Sequence, residues 1–68
     1  MKSKEKLGKT IQRLRKEKGF TQEEFAEKLN ISRTHIGHIE QGRKSPSMKL
    51  LEKLARSLGV KARDIFPF

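Results

Sequence analysis

The sequence predicts an all-α fold of five short helices. Three observations indicate it: apolar residues recur at helical spacing, cap residues stand where the helices begin, and glycines stand where they end. No stretch of the chain is typical of a strand. We expect the 68 residues to form one small domain, 1–68. A domain of this size buries only about 60% of the surface that its unfolded chain exposes.

The first two helices carry clear local signals. Between residues 4 and 18, apolar residues fall at i, i+4 and i+7, which predicts one amphipathic helix. Thr21 with Glu24 three residues later is a capping box, and it predicts where the second helix begins. Phe20 before the cap and Phe25 after it are spaced as a hydrophobic staple, which fixes the direction of the incoming chain.

Asn30 and Ser32 mark a tight turn between the second and third helices. Asn tolerates the left-handed conformation in which a helix ends abruptly, and Ser is a preferred N-cap. The third helix is predicted over residues 33–41. At helical spacing its two isoleucines, Ile36 and Ile39, lie close together and face the core.

The last two helices follow a polar loop. Ser45 or Ser47 caps a fourth helix, which is predicted to run to Leu58 and to end at Gly59. Its leucines form a wide apolar face that needs a partner. A short fifth helix is predicted over residues 61–66.

Two amphipathic helices joined by so tight a turn have the layout of a helix-turn-helix. The outer side of the third helix gathers five residues within an arc of about 140°: Arg33, Thr34, Gly37, His38 and Gln41. This face has no large apolar residue and one formal charge, whereas a solvated helix usually carries several Glu and Lys. Side chains that hydrogen-bond in pairs or pack on a methyl group suit the major groove of DNA.

Composition narrows the function classes. The formal net charge of +9 favours a polyanionic partner, of which nucleic acid is the common one; the alternative is solubility alone. Without cysteine the chain forms no disulfide and no thiolate metal site. Because apolar runs reach only two residues and no apolar leader is present, we expect a cytoplasmic protein that does not span a membrane.

The chain resembles the lambda-repressor-like, or XRE-type, helix-turn-helix family. The matching runs are LRKEKGFTQEEFA at residues 14–26, ISRTHI at 31–36, IEQGR at 39–43, LA at 54–55 and LGV at 58–60. Together they cover most of residues 7–66. The runs SRT at 32–34 and IEQG at 39–42 are similar to the controller proteins of restriction–modification systems. Asn30 stands where the family usually has Gly.

The resemblance implies a compact lambda-repressor-like domain and a dimeric transcription regulator that binds a palindromic operator in double-stranded DNA. It also implies that Arg15 pairs with Glu40. The pairing is physically reasonable, because a carboxylate at the edge of the core is costly alone and an arginine offers it a bidentate partner.

Four residues of the third helix are candidates for reading bases. Arg33 suits the O6 and N7 atoms of a guanine, Thr34 a thymine methyl group or a phosphate, and His38 a base edge or a phosphate. Gly37 allows close approach to DNA, or occupies a position that the groove does not probe. The alternative for the other three is an ordinary solvated surface.

Phosphate contacts are expected on both sides of the third helix. In the family, residues that match Gln22 hold a phosphate against the start of the second helix, where free N–H groups favour an anion. Four further candidates follow from position and residue type: Ser32, Arg43, Lys44 and Ser45. The alternative for Arg43 and Lys44 is a solvated loop.

Nothing in the sequence favours an enzyme or a cofactor. There is no cysteine nucleophile and no glycine-rich phosphate loop, and no Ser, His and carboxylate can be assigned to one another. His35 and His38 are three residues apart, but two imidazoles without a third ligand make a poor metal site, so no metal is expected.

An apolar C-terminus suggests an interface between two copies of the chain. The candidate interface residues are Leu58, Val60, Ile65, Phe66 and Phe68. The alternative is that Phe66 folds back onto its own core. The main rival function is an antitoxin or bridging module that uses the same fold to bind another protein.

Overall fold

The computed structural model describes residues 3–65, and within them it contains five helices and no strand. The helices are α1 (Ser3–Glu17), α2 (Gln22–Leu29), α3 (Arg33–Glu40), α4 (Met48–Leu58) and α5 (Ala62–Ile65). The predicted all-α, five-helix class is therefore confirmed. None of these helices is both long enough and apolar enough to cross a lipid bilayer.

Local signals fix the start of α2. The backbone N–H of Glu24 donates to the Thr21 hydroxyl at 3.0 Å, and the backbone N–H of Thr21 donates to the Glu24 carboxylate at 2.9 Å. The pKa of Glu24 lies below its ordinary value of 4.5, mainly because the backbone N–H of Thr21 donates to the carboxylate. The hydrogen bond with the Thr21 side chain lowers this pKa further. The rings of Phe20 and Phe25 stack with their centroids 5.6 Å apart. Both predicted devices, the capping box and the staple, are present.

The turn between α2 and α3 is as tight as predicted. Asn30 has φ 59° and ψ 43°, in the left-handed region, and its N–H closes the end of α2. Ser32 then caps α3, because its hydroxyl accepts the backbone N–H of His35 at 3.0 Å. Two residues therefore set the direction in which α3 leaves α2.

Helix ends differ from the predictions by a residue or so. α1 ends at Glu17, and α3 ends at Glu40 with Gln41 as its cap. Of the two serines proposed as caps of α4, Ser47 is the one used, since its hydroxyl accepts the backbone N–H of Leu50 at 3.1 Å. Ser45 is exposed in the loop before it.

The core is built from one apolar face of every helix. α3 packs against both α1 and α2, and α4 packs against α2 and α5. The fully buried large side chains come from all five helices: Ile11, Phe25, Leu29, Ile36, Ile39, Leu51, Leu54, Leu58 and Ile65. Because α1 and α2 cover two sides of α3, only its outer face remains open.

Gly8 is the point of closest approach between α1 and α3. A Cβ atom on Gly8 would overlap the carbonyl oxygen of Ile39 and would lie 2.6 Å from that of Glu40. Both atoms belong to the backbone, so neither can turn aside. Gly37 on α3 is different, because a Cβ atom there would meet nothing within 4 Å.

Replacing these two helical glycines by alanine should therefore have opposite effects. Gly8→Ala should lower the free energy of unfolding by about 1–3 kcal/mol, because α1 must move off α3. Gly37→Ala should raise it by about 0.5–1 kcal/mol, because alanine favours the helix and fills open space. Urea unfolding followed by circular dichroism measures both. A stabilising Gly8→Ala would show that the close approach is wrong.

Candidate nucleic-acid interface

The open face of α3 is polar and forms part of a shallow concavity. Arg33 and Thr34 are exposed at the start of the helix, while Gly37 and His38 are half-buried one turn later. The concavity is lined by Gln22, Arg33, Thr34, Gly37, His38, Gln41 and Arg43. The structure thus brings all four candidate base-reading residues onto one surface, with two candidate phosphate-binding residues at its edge.

Two further phosphate candidates, Ser32 and Lys44, are the chain neighbours of Arg33 and Arg43. The oxygen of Ser32 is engaged as the cap of α3, yet its O–H remains free to donate outward. Arg43 and Lys44 are exposed in a loop whose backbone N–H groups donate to the carbonyl of His38, at 2.9 and 3.4 Å. The loop is therefore fixed to the end of α3.

Ser45 does not line this concavity. It is exposed beside a different groove, together with Pro46, Met48 and the start of α1. Met48 is a large apolar residue, yet 63% of its surface is accessible. Ser45 therefore shares no concavity with the outer face of α3, whereas Arg43 does.

Beneath the surface lies a hydrogen-bonded cluster of two buried charged residues, Arg15 and Glu40, and the half-buried Gln22. Nε and Nη2 of Arg15 donate to the two carboxylate oxygens of Glu40, at 2.7 and 3.1 Å. The side chains of this pair are only 8% and 1% exposed. Nη1 of Arg15 donates to the carbonyl of Phe20 at 2.7 Å, and Nε2 of Gln22 donates to Glu40 at 3.1 Å.

The cluster joins three parts of the chain. Arg15 comes from α1, Glu40 from the last residue of α3, and Gln22 from the first residue of α2. The family resemblance implied the Arg15–Glu40 pair, which is present. The bonds from Arg15 to Phe20 and from Gln22 to Glu40 were missed. The bond from Gln22 depends on where α2 begins relative to the end of α3, and the bond from Arg15 to Phe20 depends on the path of the turn after α1. No sequence motif marks either.

A second ion pair, between Glu23 and Arg33, was also missed. Nη1 of Arg33 lies 3.6 Å from Oε1 of Glu23, with side chains 66% and 75% exposed, respectively. Glu23 stands in the first turn of α2 and Arg33 begins α3. In the sequence, Glu23 is only an acidic residue in a first helical turn, so nothing pointed to a partner.

Part of the proposed dimer interface is wrong. Leu58 and Ile65 are each 0% exposed, because both point into the core of their own chain. Neither can therefore contact a second copy without unfolding. Val60 is half-buried and packs against the same core. Phe66 and Phe68 lie outside the described residues.

Comparisons with known proteins agree on the family to which this chain is similar. A family model described as helix-turn-helix matches residues 11–65. The immunity repressor protein of Bacillus phage phi105 is 41% identical over 59 residues, which are 87% of this chain and 41% of the repressor. Multiprotein-bridging factor 1 of Candida albicans is 49% identical over 57 residues, which are 84% of this chain and 38% of that protein.

This chain thus spans about two fifths of the length of those two relatives. A shorter relative is an HTH-type transcriptional regulator of Methanothermobacter thermautotrophicus. It is 47% identical over 57 residues, which are 82% of this chain and 83% of the regulator.

Solved structures share the fold over nearly the whole chain. The clp gene regulator ClgR of Corynebacterium glutamicum has a TM-score of 0.90 and 32% identity, covering 96% of this chain and 69% of that one. The restriction–modification controller protein C.AhdI of Aeromonas hydrophila has a TM-score of 0.86 and 32% identity, covering 91% and 94%. SinR, solved in complex with DNA, has a TM-score of 0.81 and 33% identity, covering 87% and 95%.

The buried ion pair generates a stability prediction. Glu40→Ala should lower the free energy of unfolding by about 3–5 kcal/mol, because it leaves the Arg15 guanidinium buried without its counter-charge. Glu17→Ala is the matched control, since it removes the exposed Arg13–Glu17 pair, which has a distance of 3.0 Å. That change should cost about 0.5 kcal/mol or less. Equal losses in urea unfolding would contradict a structural role for Glu40.

Proposed function

Because this chain belongs to the XRE-type helix-turn-helix family, we propose that it is a sequence-specific DNA-binding transcriptional regulator whose helix α3 lies in the major groove. The observation that carries the proposal is the outer face of α3. It presents Arg33, Thr34 and His38 beside Gly37, with no large apolar side chain. A helix that docks into a groove of another protein typically presents an apolar face instead.

The dimensions of α3 suit this role. An α-helix with its side chains is about 10–12 Å across, and the major groove is about 12 Å wide, so the groove admits the exposed side of α3. The exposed first turn of α3 carries Arg33 and Thr34, so these side chains reach furthest towards the base edges. Arg33 is assigned to a guanine, and Thr34 to a thymine methyl group or a neighbouring phosphate. His38 contacts the next bases along the groove.

Phosphates would be held on either side of α3. Gln22 begins α2, where free N–H groups and the helix dipole favour an anion, and its amide is already oriented by Glu40. Arg43 and Lys44 stand beyond the other end of α3, in the loop that His38 anchors. Ser32, which precedes Arg33, and Ser45, which follows Lys44, are exposed neutral donors and are assigned to further phosphate contacts. Contacts of this kind fix the register of a protein on DNA.

A homodimer on a palindromic operator completes the proposal. One short helix reads only a few base pairs, and each correct pair contributes about 1–3 kcal/mol, so a second copy greatly increases discrimination. The two half-sites would lie about 34 Å apart, one turn of DNA. With Leu58 and Ile65 buried, the half-buried Val60 is the candidate interface residue that remains within residues 3–65.

The alternative function is a protein-interaction module. It is favoured by the 49% identity to a protein named multiprotein-bridging factor 1. Under this alternative the basic surface binds an acidic protein, and the polar face of α3 has no preference among DNA sequences. Selection of bound duplexes from a random pool, at stated salt concentration, separates the two functions. Recovery of one palindromic sequence supports the regulator.

Two substitutions test the assigned roles on the selected duplex. Arg33→Ala should weaken binding by about 1–3 kcal/mol and relax the preference at one base pair. Lys44→Ala should weaken binding to selected and random duplexes alike and should lower the salt slope by about one. Equal losses on both duplexes for Arg33→Ala would rule out its reading role. Fluorescence anisotropy over a salt series measures all four cases.

The stoichiometry on DNA tests the homodimer. Analytical ultracentrifugation of the protein with a selected duplex should show two chains for each duplex. Moving the half-sites apart by half a helical turn should abolish joint binding, because the second site then faces the opposite side of the DNA. A single chain per duplex at micromolar protein would contradict the homodimer.

A further inference from the structure

Gln41 lies on the outer face of α3 and has no role assigned so far. It directly follows Glu40, the last residue of α3, and it caps the helix with helical dihedral angles, φ −83° and ψ −5°. Its exposed side chain lines the same concavity as Arg33, Thr34 and His38. At about 100° per residue, position 41 falls near the middle of the outer arc of the helix.

The backbone on both sides of Gln41 is fixed. Its own N–H donates to the carbonyl of Gly37 at 3.0 Å. Glu40 before it is held by the buried ion pair. Gly42 after it has φ 80° and packs against α1, since a Cβ atom there would lie 2.8, 2.9 and 3.1 Å from three atoms of Glu5. The side chain of Gln41 therefore projects from a backbone whose position is already set.

The amide of Gln41 is open to a ligand. It has no hydrogen-bond partner among residues 3–65. Gln22 is different, because its Nε2 donates to the Glu40 carboxylate at 3.1 Å. One glutamine is thus held at the start of α2, beside the proposed phosphate, whereas the other keeps both its amide oxygen and its amide nitrogen for a contact.

Gly37 gives this amide room above α3. Side chains of a helix lean towards its N-terminus, so the side chain at position 41 lies over the turn that contains position 37. A Cβ atom at Gly37 would meet nothing within 4 Å, which leaves that space open. The amide can therefore reach the middle of the outer face instead of staying beyond the end of α3, beside Arg43 and Lys44.

We propose that Gln41 is a further specificity-determining residue that reads an adenine, an inference that rests on the proposed function. The amide oxygen of a glutamine accepts the N6 amino group of adenine while the amide nitrogen donates to N7, a bidentate contact in the major groove. Arg33 and Gln41 are eight residues apart, which is about 12 Å along α3, so they contact different base pairs. A phosphate would use only the N–H groups of the amide.

Gln12 provides a matched control. It is half-buried on α1 and lines a neighbouring concavity with Arg15 and Lys16, not the concavity on the outer face of α3. Gln12→Ala removes an amide of the same kind and leaves the net charge unchanged, as Gln41→Ala does. A difference between the two variants therefore reports on the place of the amide and not on its chemistry.

The experiment measures the affinity of wild type, Gln41→Ala and Gln12→Ala for the duplex selected from the pool and for a random duplex. Gln41→Ala should weaken binding to the selected duplex by about 5- to 150-fold, the range for one bidentate base contact, and should affect the random duplex far less. Gln12→Ala should leave the ratio of the two affinities unchanged. Selection repeated with Gln41→Ala should lose the preference for adenine at one base pair and keep the guanine assigned to Arg33.

A substitution in the DNA tests the contact itself. In 7-deazaadenine a C–H group replaces N7, while the base pair stays intact. Placed at that base pair, it should weaken binding of the wild type and leave binding of Gln41→Ala unchanged, because the amide that donates to N7 is then absent. Equal weakening of both proteins would overturn the inference. Equal losses of Gln41→Ala on selected and random duplexes would also overturn it, since the amide would then hold a phosphate.

Failure of the proposed function gives a different result. If wild-type protein selects no preferred duplex from the pool, the regulator and the inference both fall before any variant is compared. If a preferred duplex is found and Gln41→Ala selects the same sequence, the inference alone falls. Thermal unfolding of each variant checks that these substitutions leave the fold intact.

Discussion

The buried pair of Arg15 and Glu40 is the interaction on which the arrangement of this molecule depends. Two charges removed from water are tolerated only when their hydrogen-bonding groups are satisfied. Here Arg15 satisfies Glu40 and the Phe20 carbonyl, and Gln22 supplies a further bond to Glu40. No buried side-chain nitrogen or oxygen among residues 3–65 lacks a partner. One cluster therefore fixes the end of α3 against both α1 and the start of α2.

This constraint links stability to function. The apolar side of α3 is held by the core, and its last residue is held by an ion pair, so the helix has little freedom to rotate. The side chain of Gln22 is oriented by the same carboxylate that orients α3. Gly8 lets α1 pass close enough for the pair to form. The proposed base-reading surface and the proposed phosphate site are thus set in one mutual geometry without DNA, which would reduce the ordering cost of binding.

The sequence predicts well what is encoded within a few residues of the chain. The Thr21–Glu24 capping box and the left-handed Asn30 act locally, and both are present as predicted. Contacts between distant residues escape such reasoning, because they depend on how helices pack. Gly8 against Ile39 and Gln22 against Glu40 are of this kind. The same limit explains the error at Ile65: an apolar residue near the end of the chain was assigned to an outer surface, whereas α5 folds it into the core.

The central claim is that the outer face of α3 meets base edges in the major groove. Its most direct test is nuclear magnetic resonance of the protein bound to a selected duplex. The account predicts intermolecular Overhauser effects between Thr34 or His38 protons and the thymine methyl or cytosine protons of the major groove, with the largest amide shifts along α3 and at Gln22. Contacts confined to α4 and α5, with unperturbed α3 amides, would contradict it.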